Sequence, residues 1–199
     1  MKIRKMLSSA VALLLLAAAP AVFAADYEVD TGHSRVGFGV KHMLVSTVRG
    51  TFTKFTGAIA IDDADITKSK VHLDIDAASI NTDNAKRDEH LKSADFLDVT
   101  KFQKITFDST KVERANANTL FVTGNLTIKN VMKPVILTVT GLTAEVKDPW
   151  GGIRRGAQAS TKINRKEFGM TWNKAIESGG VVVGDDVAID LEVELTKKK

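Results

Sequence analysis

The sequence predicts an all-β protein made of antiparallel strands. After residue 25, apolar and polar residues alternate along most segments, and turn-forming residues interrupt this alternation at short intervals. A period of two places apolar side chains on one face of a strand and polar side chains on the other. Such strands are typical of antiparallel sheets, which cover a core on one side and face water on the other. Many short strands of this kind indicate a barrel or a sandwich.

Five segments show the alternation most clearly. In chain order, their apolar faces consist of Val36, Phe38 and Val40; Val71, Leu73 and Ile75; Leu120, Val122, Leu126 and Ile128; Val135, Leu137 and Val139; and Val187, Ile189, Leu191, Val193 and Leu195. The predicted turns lie at Thr31-Gly32, Gly57, Asp62-Asp63, Lys129-Asn130 and residues 148–152. The strands therefore follow one another with short connections.

One segment has a different pattern. Helix-favouring residues run from Thr82 to Ser93, and Thr82 or Asp83 is predicted to cap the start of this helix. Ala85 and Leu91 are its only apolar residues, so we expect it to lie on a surface. A second short helical piece is predicted at residues 165–168.

The first 24 residues have the layout of a secretory signal peptide. Three basic residues precede an apolar run over residues 7–19, and Val22 and Ala24 are small residues placed for cleavage. The apolar run is shorter than the span of about twenty residues that a transmembrane helix needs. We therefore expect residues 1–24 to be removed, leaving one exported domain over residues 25–199. An uncleaved N-terminal anchor is the alternative.

The charge balance argues against nucleic-acid binding. The chain carries 28 Lys and Arg against 24 Asp and Glu, but three of the basic residues and none of the acidic ones lie in the predicted signal. A mature chain with a net charge of +1 has no field strong enough to hold a polyanion by charge alone. The chain contains no cysteine, so its stability in an oxidising compartment cannot depend on disulfides.

No catalytic or metal-binding motif stands out. The four histidines, His33, His42, His72 and His90, lack the i, i+4 or i, i+2 spacing of a local metal site. No G-x-S-x-G motif is present, and the paired carboxylates fall on turns and on polar strand faces. His42 continues the apolar face of its strand, so we expect it to point inward as a structural residue. The sequence predicts no cofactor and no metal.

Several motifs together resemble the YceI-like family. They are G-H-S-R-V-G-F-G-V-K-H (32–42), G-T-F-T-K-F-T-G (50–57), T-D-N-A-K-R-D-E-H-L-K-S-A-D-F (82–96), I-T-F-D-S (105–109), G-N-L-T-I (124–128), K-P-V (133–135) and R-K-E-F-G (165–169). Two positions depart from the family pattern, Gln103 in place of a proline and Asn130 in place of a turn glycine. The resemblance covers residues 27–195 and implies an extended, lipocalin-like antiparallel β-barrel of about eight strands with a short inserted helix.

The resemblance also implies a periplasmic or secreted protein whose interior holds an isoprenoid or another long-chain amphiphile. The predicted ligand-binding residues are Phe38, Val40, His42, Phe52, Ile75, Arg87, His90, Leu91, Phe96, Phe107, Arg154, Phe168 and Trp172. Arg87, Asp88, His90, Arg154 and Arg155 are the predicted polar residues of the mouth. Alternatively, these charges pair with one another and fix the helix on the barrel rim.

Three functions remain open from the sequence. The leading hypothesis is a non-enzymatic periplasmic carrier that binds the amphiphile in its barrel and contacts the membrane transiently. The second is an enzyme that acts on a lipid-like substrate, with His42 or the block from Arg87 to His90 as acid or base. The third is a stress-response protein without a physiological small ligand. Both a monomer and a homodimer are compatible with the sequence.

Overall fold

A computed structural model describes residues 24–176 and 179–199, so residues 1–23 of the predicted signal lie outside the described part of the chain. The strands are β1 (Ala25–Val29), β2 (Arg35–His42), β3 (Ser46–Phe52), β4 (Phe55–Ile61), β5 (Lys70–Asp76), β6 (Ile80–Asn81), β7 (Lys104–Asn116), β8 (Thr119–Ile128), β9 (Val131–Thr140), β10 (Val146–Lys147), β11 (Ile153–Asn164) and β12 (Val183–Lys197). The α-helix is α1 (Ala85–Lys92), and 3₁₀ turns lie at Ile66–Lys68, Ala77–Ser79 and Arg165–Phe168. Among the described residues, no helix is long and apolar enough to span a bilayer.

The strands form one antiparallel sheet that closes into an eight-stranded barrel. β1 and β2 both pair with β12, while β4 pairs with β1 and β3 pairs with β2. Likewise, β5 pairs with β4 and β6 pairs with β3. Strands that follow one another in the sequence therefore form single long strands, each interrupted by a bend. These are β1 with β2, β3 with β4, and β5 with β6. Pairing of β11 with both β9 and β12 closes the ring, which confirms the predicted barrel.

The five predicted alternating segments lie on β2, β5, β8, β9 and β12. The Lys129-Asn130 turn is also confirmed, since both residues adopt the left-handed backbone conformation of a tight hairpin, with φ of 51° and 59°. Two local predictions were wrong. Gly57 lies inside β4, and the helix is capped by Asn84, whose side chain accepts a hydrogen bond from the Arg87 amide.

At one end of the barrel, here called the closed end, the side chains of Tyr27 and Arg155 lie buried in the interior. Tyr27 is fully buried, and its hydroxyl donates to Glu145 at 2.5 Å. Burial and this hydrogen bond raise the pKa of Tyr27 to about 12. The guanidinium of Arg155 lies 5.6 Å from the centre of the Tyr27 ring and donates to both carboxylate oxygens of Asp63. Arg155, predicted at the ligand mouth, therefore belongs to the closed end instead.

Two glycines make room for aromatic rings that face the barrel interior. A Cβ atom at Gly50 would lie 2.4 Å from the Phe38 ring, and one at Gly124 would lie 2.4 Å from the Phe107 ring. Each ring therefore rests directly on the backbone of a neighbouring strand. This close approach of the rings to the wall leaves space in the middle of the barrel.

We expect Gly124→Ala to lower the free energy of unfolding by about 1–3 kcal/mol, the usual cost of overpacking a core. The new methyl group would also lie 2.6 Å from the Asp108 carbonyl oxygen, which is backbone and cannot swing away. Urea unfolding measures the effect. Gly156→Ala is the matched control, because its nearest neighbour is the Val193 carbonyl oxygen at 3.8 Å. Equal losses in the two variants would contradict the packing argument.

Candidate ligand-binding cavity

The end of the barrel opposite to the closed end, here called the open end, contains a cavity of about 560 Å³. Its walls are the inward faces of the long strands, and α1 and the segment that follows β11 cover part of its mouth. Most of the lining is aliphatic or aromatic. Among the lining side chains that the structure describes, the charged or ionisable ones are all basic: Lys41, His42, Lys86, Arg87, His90 and Arg165.

Three rings from separate segments meet at the mouth. His90 comes from α1, Phe96 from the following loop and Trp172 from the segment after β11. The His90 ring packs edge-on against both others, with centroid distances of 5.0 Å to Phe96 and 4.7 Å to Trp172. Because α1 buries no side chain completely, this cluster is a main contact between the helix and the rest of the mouth.

Thr82 anchors the start of α1. Its amide and hydroxyl donate to the Asp88 carboxylate, and its hydroxyl and carbonyl oxygens accept from the Arg87 guanidinium. Arg87 and Asp88 are thus joined through Thr82. Both charged side chains thus hold the start of the helix at the rim, as in the predicted alternative, but they do so through Thr82 and not by pairing with one another. Arg87 nevertheless also lines the cavity.

Arg165 organises the segment that carries Trp172. Its side chain is almost fully buried, and its guanidinium donates to the carbonyl oxygens of Met170 at 2.5 Å, Trp172 at 2.9 Å and Gly184 at 2.9 Å. Burial lowers the pKa of Arg165, while the nearby charge of Asp185 opposes this shift. The guanidinium stays protonated because the ordinary arginine pKa lies far above neutrality. Arg165 therefore serves as a permanent cation inside the wall.

Eleven of the thirteen predicted ligand-binding residues line the cavity, and their contact with a ligand stays a prediction. They are Phe38, Val40, His42, Phe52, Ile75, Arg87, His90, Leu91, Phe96, Phe107 and Trp172. Phe168 instead lies outside the lining, buried in the 3₁₀ turn after β11. Arg154 lies on the outer face of the barrel near the closed end.

Arg154 is surrounded by carboxylates. Its guanidinium donates to Asp148 at 2.8 Å, Asp30 at 2.6 Å and Glu194 at 2.5 Å. Asp30 and Glu194, together with His33, are grouped closely enough to hold a metal ion, but the guanidinium already binds both carboxylates. The hydrogen bond from Arg154, with a weaker one from His33, lowers the pKa of Asp30 to about 2.

Several wall residues that are absent from the predicted ligand-binding set come from the predicted apolar faces. Leu73, Leu126, Ile128, Val135, Leu137, Val187, Ile189 and Leu191 all line the cavity. Their alternation predicts the apolar face of each strand, but it does not show which of these side chains border a cavity. Arg165 lies in the R-K-E-F-G motif, but no sequence signal distinguishes it from a surface arginine.

Comparisons with known proteins agree with this architecture. Residues 27–195 match the family model described as the YceI-like domain. A UPF0312 protein of Serratia proteamaculans (strain 568) is 38% identical over 187 residues, which cover 93% of this chain and 93% of that protein.

Two solved structures have the same fold. The Campylobacter jejuni YCEI protein is 31% identical, with a TM-score of 0.69 over 80% of this chain and 90% of that one. A polyisoprenoid binding domain from Saccharophagus degradans is 16% identical, with a TM-score of 0.63 over 88% of this chain and 99% of that one. At 16% identity, the second likeness shows a common fold and nothing more.

The Asp30–Arg154 contact predicts a pH dependence. The folded-state pKa of Asp30 lies below the ordinary value of 3.8, so its stabilisation is present above that value and is lost as the pH falls towards 2. Asp30→Asn should therefore lower the free energy of unfolding near neutral pH, by about 1–2 kcal/mol after solvent screening. The difference from wild type should shrink between about pH 4 and pH 2.

Chemical denaturation across this pH range measures the difference. In an Arg154→Met background, Asp30→Asn should have a much weaker pH-dependent effect. A difference that persists at pH 2, or that is unchanged in the Arg154→Met background, would contradict the assignment.

Arg165→Met should loosen the mouth. Three buried carbonyl oxygens lose their donor, so we expect a loss of about 2–4 kcal/mol in the free energy of unfolding. In a Trp150→Phe background, Trp172 is the only tryptophan, and its emission should shift to longer wavelength as it becomes more exposed. Lys166→Met is the matched control, since that side chain is half exposed and pairs at the surface with Asp185. An unchanged Trp172 emission in Arg165→Met would show that the arginine does not position this segment.

Proposed function

This chain belongs to the YceI-like domain family, and we propose that it is a periplasmic binding protein that holds one isoprenoid or similar long-chain amphiphile in the open end of its barrel. It carries this lipid without changing it chemically. The single observation that supports the proposal most strongly is the apolar cavity. Its volume of about 560 Å³ lies within the range of about 300–1,000 Å³ that small-molecule sites occupy.

The apolar walls favour a hydrocarbon chain. Moving such a chain out of water gains about 0.8 kcal/mol for each buried CH₂ group. Relative to a bilayer, which is equally apolar, the chain itself gains little. Discrimination between lipids therefore depends on the shape of the cavity and on the head group.

The mouth favours an anionic head group. Lys86, Arg87 and His90 from α1, with Lys41 and His42 from β2, line the cavity near its opening. No Asp or Glu is among the lining residues that the structure describes. A phosphate or carboxylate would meet donors at this mouth, and the nearby carboxylate of Asp95 is already bound to His90.

The relatives support the proposal to a limited degree. The Saccharophagus degradans domain is described as a polyisoprenoid binding domain. Because the likeness to it supports the fold alone, the ligand class proposed here rests on the cavity. The proposed periplasmic location rests on the signal-like segment at residues 1–24.

The enzymatic alternative would depend on His42 or His90. His90 pairs with Asp95 at 2.8 Å, which is the arrangement of a general base. However, the described lining contains no Ser, Cys, Asp or Glu that would serve as a nucleophile or second acid. The arrangement therefore supports binding over catalysis.

Native mass spectrometry of protein purified from the periplasm of its own cells tests the proposal. We expect a mass corresponding to a chain that starts at Ala25 together with one amphiphile, which organic extraction then releases unchanged. Release of a chemically altered lipid would favour the enzyme. Protein that is consistently free of lipid would overturn the carrier function.

A cavity-filling variant tests the location of the ligand. Val187 lines the cavity, so Val187→Phe should reduce the lipid-bound fraction about tenfold and change the melting temperature little, because the ring enters empty space. Val146→Phe is the matched control, because Val146 is exposed on β10, away from the cavity. Equal lipid content in the two variants would place the ligand outside the barrel.

A further inference from the structure

The turn between β2 and β3 exposes three apolar side chains. Met43 is 41% exposed, Leu44 is 71% exposed and Val45 is 82% exposed. These three residues are here called the apolar tip. Leu44 and Val45 are among the most exposed large apolar residues of the described chain.

The backbone conformation of the apolar tip is also one that Met and Leu rarely adopt. The Val45 amide donates to the His42 carbonyl at 3.1 Å, which makes a four-residue turn. Met43 and Leu44, at its centre, have φ of 51° and 61°. Such turns favour Asn and Gly, because a left-handed conformation costs an ordinary residue about 1–2 kcal/mol. An exposed position and a left-handed backbone both disfavour Met43 and Leu44. The stability of the fold therefore does not explain why these residue types occur in the turn.

The apolar tip lies on the rim of the cavity. His42, directly before it, and Val48, shortly after it, both line the cavity. The Met43 amide donates to the Val182 carbonyl at 2.9 Å, which joins the tip to the segment before β12. Val181 in that segment is 37% exposed, so it extends the apolar surface along the rim.

Basic side chains flank the apolar tip. Lys41 and Arg49 lie on either side of it, and the Lys174 carbonyl accepts a hydrogen bond from the Val182 amide. None of these three forms an ion pair within the described part of the chain. Asp185 and Asp186, on the part of β12 nearest to Lys41, already pair with Arg165, Lys166 and Lys162. Exposed apolar residues beside basic ones are typical of surfaces that enter the interface of an anionic bilayer.

We propose that the apolar tip inserts into the interfacial region of an anionic lipid bilayer and thereby sets the mouth of the cavity against the membrane. A bilayer suits a wedge of three residues, whereas a stable protein partner would need about 800 Å² of complementary surface. The inference rests on the proposed carrier function, because it assigns the membrane as the source or destination of the lipid.

Co-sedimentation of the protein with vesicles tests the proposal. Vesicles of phosphatidylglycerol and phosphatidylethanolamine should bind the wild-type protein, and phosphatidylcholine vesicles should bind it more weakly. The double variant Met43→Asn, Leu44→Gly removes the apolar side chains and supplies the residues that this turn prefers. We expect its partition into the anionic vesicles to fall about tenfold, with a melting temperature at or above that of wild type.

Trp150→Ser is the matched control. Trp150 is 86% exposed in the turn between β10 and β11, at the closed end of the barrel. This variant should bind vesicles as wild type does. Loss of binding in Trp150→Ser with retention in the double variant would show that the closed end faces the membrane. Absence of wild-type binding to the anionic vesicles would equally overturn the proposal.

A second readout separates this proposal from the carrier function. A dansyl-labelled farnesyl lipid is offered either dispersed in solution or embedded in the anionic vesicles. The double variant should bind the dispersed probe as wild type does and should acquire it from vesicles about tenfold more slowly. If neither protein binds the dispersed probe, the carrier function fails for this class of lipid, whatever the vesicle binding. Equal rates of acquisition from vesicles would overturn the role of the tip alone.

Discussion

The open end of the barrel depends on one buried cation, Arg165. Its guanidinium binds carbonyl oxygens on the segment that contains Trp172 and on the start of β12. Two parts of the rim are therefore fixed to the same planar group, whose several donors point in set directions. The Asn173 side chain joins the same two parts through hydrogen bonds with the Val183 backbone. The mouth keeps its shape because of a polar interaction inside an apolar wall.

The two ends of the barrel are physically different. At the closed end, the buried side chains of Tyr27 and Arg155 occupy the interior and reach the carboxylates of Glu145 and Asp63. At the open end, glycines at positions 50 and 124 let aromatic rings lie against the wall and leave the centre empty. A hydrocarbon chain inserted from the open end would meet mainly apolar walls, because neither Tyr27 nor Arg155 is among the described residues that line the cavity. The basic residues of the lining cluster at the open end, beside the cavity mouth.

The sequence predicted the strands because their alternation is local, and the Lys129-Asn130 turn because its backbone conformation restricts the residue type. It failed where the reason lies in another part of the chain. Gly57 indicated a turn, but a Cβ atom there would collide with Val29 and Leu73 from neighbouring strands. Nothing in the sequence near Arg154 or Arg165 shows which of them lies inside the barrel. Arg154 is held by carboxylates on the outside, and Arg165 is held by carbonyl oxygens on the inside. Only the register of the sheet separates these cases.

A carrier of long apolar chains faces a kinetic problem more than a thermodynamic one. Bilayer and barrel are both apolar, so transfer between them changes the free energy little, whereas passage through water costs about 0.8 kcal/mol for each exposed CH₂ group. The barrier falls if the mouth meets the membrane directly. In this barrel the cavity opening, the basic residues and the apolar tip all lie at the same end. Exposed apolar residues in a strained turn lower the stability of the protein in water. Because they lie beside the cavity mouth, direct contact of the mouth with a membrane would bury them and offset that cost.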